Sequence, residues 1–175
     1  QGEPVKAIDN DPPNSIRPRR QAFGYDVEYS LDSMPFLKDM IDILGELGWD
    51  LHDVVAEGAY SQFELDFHYT DLLQMADRLV FLKILLKEIA KKHDMFVTFM
   101  PKPTIGDWRS GGHINFSLNN IKDNSNIFKD GDKWSQEAMY AVGGLLSNSE
   151  AITAITCPTV NSYNGLVPTV GGFEG

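Results

Sequence analysis

The stretch Glu57-Gly-Ala-Tyr-Ser-Gln-Phe-Glu64, continued by Leu65-Asp-Phe-His-Tyr69, alternates without a break from Gln62 onward. Phe63, Leu65, Phe67 and Tyr69 fall on one face, and Gln62, Glu64, Asp66 and His68 on the other, the period of a strand with one buried side. A half-solvated strand explains the polarity but not the choice of groups. Carboxylates and small hydrogen-bonding side chains are what a hard divalent cation and a phosphate chain require. Glu57 and Glu64 stand seven positions apart, so they cannot share a face of one uninterrupted strand. They converge only if Gly58-Ala-Tyr-Ser61 bends the chain, and the glycine permits that bend. Two glutamates alone are far more often surface charge than a metal site.

A second alternation lies downstream, where Ile114, Phe116 and Leu118 oppose His113, Asn115 and Ser117. Gly111 and Gly112 precede it and let the backbone approach a ligand closely. A single histidine is more often structural than ligating, so His113 also needs corroboration.

Helical periods flank these two strands. Phe36, Leu37, Met40, Ile41, Ile43, Leu44 and Leu47 predict a helix from Met34 to Leu47, after possible caps Asp32 and Ser33 and ended by Gly48. Leu72, Met75, Leu79, Leu82, Leu86 and Ile89 predict a longer helix from Asp71 to Lys92, capped by Thr70. Lys87, Lys91 and Lys92 suit the negative pole of its dipole. Met95 to Met100 is expected as a strand stopped by Pro101 and Pro103. Gln136–Leu146 and Ser149–Ile155 are expected as helices, with Gly143-Gly144 a weak point. Residues 1–24, with Pro4, Pro12, Pro13 and Pro18, are expected as a loop-rich lead-in, leaving 25–175 as the folded domain.

Composition narrows the function. Across 175 residues, 42% are hydrophobic and 23% charged, so the chain buries a core. The 25 acidic against 15 basic residues give a net charge of −10, which argues against nonspecific nucleic acid or anionic membrane binding. No apolar run is long enough to span a bilayer, and a cytoplasmic protein is the expectation. The single cysteine, Cys157, excludes an internal disulfide and a cysteine-rich metal site. There is no GxxxxGK[ST] loop, no GxGxxG turn and no GxSxG elbow, so any nucleotide site is of another kind.

Taken together, five motifs resemble the glutamine synthetase family. Glu57 to Glu64 is similar to the family's E-x4-Q-x-E element. Ala76-Asp77-Arg78, Thr98-Phe-Met-Pro-Lys-Pro103, Ser110-Gly-Gly-His113 with Ser117, and Pro158-Thr-Val-Asn-Ser-Tyr163 follow in the family's order and spacing. The likeness runs from about Asp26 to Pro168, the middle of a catalytic domain, without the family's small N-terminal β-grasp domain or its C-terminal part.

The resemblance implies an α+β fold, a curved antiparallel sheet backed by helices. It implies ATP-dependent amide formation from glutamate and ammonia through γ-glutamyl phosphate, with Mg2+ or Mn2+. By motif position Glu57, Glu64 and His113 would hold metal, and Glu57 would also lie near the incoming amine. Tyr69 would pack on adenine, and Asn115 and Ser117 would touch nucleotide and phosphate, although the family usually has a histidine where Asn115 stands. Arg109, Ser110 and Gly111 fall on the loop that meets the amino-acid substrate. The intact parent would form a large homo-oligomer of stacked rings with shared active sites, so this chain alone is expected to be inactive.

Two departures bear on the substrate. Gly165 stands where the family's NSYKRL pattern has a carboxylate-gripping arginine, and Trp108-Arg109 replaces the usual Asn-Gly. The alternatives are therefore a γ-glutamyl ligase using an organic amine, or a noncatalytic structural or binding relative. The presence of Glu57, Glu64 and His113 ranks the last lowest.

Overall fold

Two hydrophobic stripes of helical period and one strand pair of period two build the first half of the protein. The computed structural model describes residues 24–25, 27–59, 61–104, 108–164 and 166. Apart from Gly24, the lead-in expected over 1–24 lies outside the described residues, as does Gly165. The chain divides into two units, one reaching Ser110 and one beginning at Gly111.

In the first unit, α1 (Val27–Asp32) and α2 (Met34–Glu46) precede β1 (Leu51–Ala56), β2 (Phe63–Phe67) and α3 (Leu72–Lys92). α2 begins with Pro35 in its first turn, where proline's missing N–H costs nothing. Gly48 follows it at φ 67°, the left-handed conformation that ends a helix. β1 and β2 pair antiparallel, with a register irregularity between Leu51 and Asp53. Phe36, Leu37, Met40 and Leu44 of α2 and Leu82, Leu86, Ile89 and Ala90 of α3 form the buried core. Leu51, Val54, Phe63, Leu65 and Phe67 of the strand pair pack against it. This is the expected α+β arrangement of antiparallel strands backed by helices.

Three details depart from the sequence reading. Asp71, not Thr70, caps α3, its carboxylate accepting from the N–H groups of Leu73 at 3.0 Å and Gln74 at 3.3 Å. Thr70 bonds the Gln74 side chain instead. Burial along α3 begins only at Leu82, leaving Leu72 and Leu79 exposed, because α2 and the strand pair cover only its C-terminal half.

Finally, Met95–Met100 is not a strand, and neither is His113–Leu118. Alternation favours extended backbone, but a strand exists only through a ladder. Among the described residues, Met100 N–H bonds its own neighbour Thr98 Oγ1, and the 113–118 run meets a partner only at its end, where Ile127 N–H donates to Leu118 O at 2.8 Å. Met95 and Val97 still pack on the core.

The second unit holds β3 (Lys129–Asp130), β4 (Lys133–Trp134), α4 (Gln136–Ser147), α5 (Ser149–Thr156) and α6 (Val160–Tyr163). Both expected helices are present. Gly143-Gly144 does not interrupt α4, whose N-terminus is capped by Ser135 Oγ accepting from Ala138 N–H at 3.1 Å. Thr159 and Ser162 form a capping box on α6. Among the described residues, no helix is long and apolar enough to cross a membrane.

Candidate active site

The hairpin register decides where the carboxylates go. Val55 pairs with Glu64 and Ala56 with Phe63, and Glu57 N–H continues the ladder to Gln62 O at 2.8 Å. Residues opposite one another share a face, so Glu57 and Gln62 lie on the side that carries Val55 and Glu64. Asp53 opposite Asp66 adds two more carboxylates to that face. Val54, Phe63 and Leu65 take the other side, toward the core. Glu57 and Glu64 are thus diagonal neighbours, a relation that spans about 7–8 Å between backbones in an ordinary sheet.

The bend joining them works differently from the sequence expectation. The left-handed residue is Ser61, at φ 57°, and Gly58 has no positive φ. Gly58 is small for another reason. A Cβ placed on it would lie 2.5 Å from Cδ2 and 2.7 Å from Cε2 of the Trp108 indole, closer than carbon atoms approach. Gly58 and Ala59 are buried, and the Gly58 N–H donates to Glu57 Oε2 at 3.1 Å. Gln62 uses both ends of its amide. Its Oε1 accepts from Ala59 N–H at 3.2 Å, across the turn, and its Nε2 donates to Arg109 O at 2.9 Å. Ser110 N–H donates to Pro101 O at 2.8 Å, closing the loop that follows the Thr98–Pro103 motif.

The structure therefore brings Glu57, Glu64, Arg109 and Ser110 into one unit, with the loop seated on the hairpin turn. Tyr69, two residues past β2, is 90% exposed. Gly111, His113, Asn115 and Ser117 are exposed and belong to the second unit. Among the described residues, no group of three His, Cys, Asp or Glu side chains is placed to hold a metal ion. The donors of the first unit are nonetheless hard oxygens crowded on one face, the chemistry that suits Mg2+ or Mn2+ rather than a soft metal.

The first unit is thus a helix-backed antiparallel hairpin with glutamates on its open face and the Trp108–Ser110 segment seated on its turn. The sequence matches the family described as "Glutamine synthetase, catalytic domain" over residues 2–171, and the chain belongs to that family. It is 41% identical over 159 residues to the glutamine synthetase of Methanosarcina mazei, covering 89% of this chain and 32% of that one. It is 43% identical over 143 residues to that of Clostridium saccharobutylicum, covering 78% and 30%.

Among solved structures, one described as "Apo GmaS without ligand" superposes with a TM-score of 0.74 at 29% identity, over 90% of this chain and 37% of that chain. The Plasmodium falciparum glutamine synthetase superposes with a TM-score of 0.72 at 31% identity, over 75% and 26%. The chain spans about a third of the length of these curated relatives.

Two residues at this site went unassigned in the sequence. Gln62 was readable as part of E-x4-Q-x-E but not as the bridge to Arg109. Gly58 was readable as a bend but not as a seat for an aromatic ring. Both roles depend on a contact across 47 or more positions, for which the local sequence carries no signal.

Proposed function

We propose that this chain is part of an ATP-dependent ligase that forms an amide from glutamate and ammonia through γ-glutamyl phosphate. The observation that carries the reading is the hairpin register, which sets Glu57 and Glu64 on one open face in a member of this family. Glu57 and Glu64, with His113, would hold Mg2+ or Mn2+. Such ions, when bound, offset phosphate charge and polarise the transferred group. The Glu57 carboxylate would accept a proton from the incoming ammonium, a general-base task within hydrogen-bond reach. Tyr69, Asn115 and Ser117 would contact ATP. One relative's solved structure is described as a "GmaS/ADP complex", which supports nucleotide binding by this fold. Arg109, Ser110 and Gly111 would meet the acid. The full-length protein is proposed to be cytoplasmic and to assemble as a large homo-oligomer of stacked rings.

The second reading is a γ-glutamyl ligase acting on an organic amine. Trp108-Arg109 favours it, since the bulky Trp108 indole lies against Gly58, the residue next to Glu57. Both readings are tested in the full-length protein by ADP release with a panel of acids and amines. Glu64→Ala is expected to abolish ligation while leaving the thermal transition in place. Undiminished turnover in that variant refutes the assignment. Ordinary glutamate and ammonia kinetics that survive Arg109→Ala unchanged refute a role for Arg109 and the altered specificity.

A further inference from the structure

We infer that Gly58 and Gln62 are positioning residues that index the acid-binding loop to the glutamate hairpin, with the Trp108 indole as the part that seats on them. The inference rests on the proposed ligase reading, in which Glu57 and Glu64 serve one end of the reaction and the loop through Arg109 and Ser110 serves the other. Three contacts fix the loop. The Trp108 ring occupies the space a side chain at position 58 would fill. The Gln62 amide holds the Arg109 carbonyl at 2.9 Å. The Ser110 N–H closes the loop on Pro101 O at 2.8 Å.

The first two contacts land on the same turn, one on each side of Ala59-Tyr-Ser61. That turn is itself braced from within, because the Gln62 Oε1 accepts from Ala59 N–H while its Nε2 reaches the loop. Tightening and tethering therefore use one side chain. A shift of the turn moves the loop, and a shift of the loop presses the ring into the turn. Ligation requires the acid's carboxylate and the amine's general base to be held in one geometry, and misplacement by about 1 Å costs as much as ~100-fold. A rigid seat between the two groups supplies that geometry.

The contact is steric, so it has a reciprocal test in the full-length ligase. Gly58→Ala is expected to raise KM for the acid by ~10-fold or more, with KM for ATP changed less than twofold, because the ring and the loop behind it are pushed outward. Trp108→Gly removes the obstacle, so adding Gly58→Ala to it is expected to have little further effect. The two substitutions then couple strongly in a double-mutant cycle. Gln62→Leu is expected to raise the same KM through the lost bond to Arg109 O.

Tryptophan emission and the thermal midpoint of each variant are read alongside. Gly58→Ala is expected to shift the tryptophan emission in the parent background and to leave the emission of the two remaining tryptophans unchanged in the Trp108→Gly background. Additive effects of Gly58→Ala and Trp108→Gly, or an unchanged KM and emission in Gly58→Ala, overturn the inference. So does a rise in KM for ATP equal to that for the acid. Absence of ligation by the parent with every acid tried instead overturns the functional reading, and the emission cycle still decides whether ring and turn are in contact.

Discussion

Asp53 and Asp66 face each other across the strand pair, on the side that also bears Glu57 and Glu64. Like charges directly opposite in a sheet are destabilising by roughly 0.2–1 kcal/mol. Four carboxylates on one face of a short hairpin therefore carry a repulsion that the packing of the fold does not require. Asp53→Asn relieves one repulsion without changing shape. It is expected to raise stability by about 0.5 kcal/mol in urea unfolding, less at high salt, where the repulsion is already screened.

Asp123, in the turn of the second unit, shows the opposite case. Its carboxylate accepts from Ser125 Oγ at 2.7 Å and Ser125 N–H at 3.0 Å, and these bonds, the hydroxyl's first, hold its pKa below the ordinary carboxylate value. A depressed folded pKa means the carboxylate's contribution is present above the unfolded pKa and is lost as pH falls through the folded one. The side-chain carboxyl resonance of Asp123 is therefore expected to titrate below those of unbonded aspartates. Ser125→Ala is expected to move it back up. An unchanged midpoint in that variant contradicts the assignment.

At the scale of elements, the helices and the hairpin answer to different parts of the sequence. α2 and α3 meet through Met40, Leu44 and Ile89, which are almost wholly buried, and the C-cap of α3 is tied to the middle of α2 where His93 Nε2 lies 2.9 Å from Asp39 Oδ2. Leu44→Ala is expected to cost about 2–5 kcal/mol, as a cavity in such a core does. Leu72→Ala at the exposed start of α3 should stay within about 0.5 kcal/mol, and chemical denaturation of both variants compares them directly. Helices were legible because their bonds and periods are local. So was β2, because its alternation coincides with a neighbour close in sequence. His113–Leu118 carries the same alternation and Met95–Met100 is an apolar run with the composition of a strand, but a ladder needs a second strand, which local sequence does not supply. The candidate site was legible as residue types at a spacing, and the glutamates' shared face followed from the bend. What the sequence left hidden was why Gly58 is glycine, since the ring that requires it lies fifty positions away.

At the scale of the whole molecule, many large apolar side chains among the described residues lie at the surface. Leu72, Leu73, Val80 and Ile84 of α3 are all more than half exposed, as are Ile114, Leu146, Ile155 and Val160 in the second unit. Among the described residues, β1 and β2 form a sheet of two strands only, so each presents an outer edge. Open edges and apolar faces drive association, and an isolated two-stranded sheet is marginal by itself. Against this stands the net charge of −10, which repels like copies. The magnitudes favour association. Burying about 1,600 Å² of largely apolar surface at ~25 cal/mol per Å² gives tens of kcal/mol before entropic costs, whereas charge repulsion is screened over about 8 Å at physiological ionic strength. The chain expressed alone is therefore expected to self-associate, and to do so more strongly as salt rises from 50 to about 500 mM, because salt weakens the repulsion and leaves apolar burial intact. Sedimentation velocity across that range gives the answer. Larger species at high salt support association through the exposed apolar faces. A monodisperse monomer with one cooperative thermal transition at every salt concentration shows that those faces are not sticky, and association that weakens with salt assigns it to ion pairs instead.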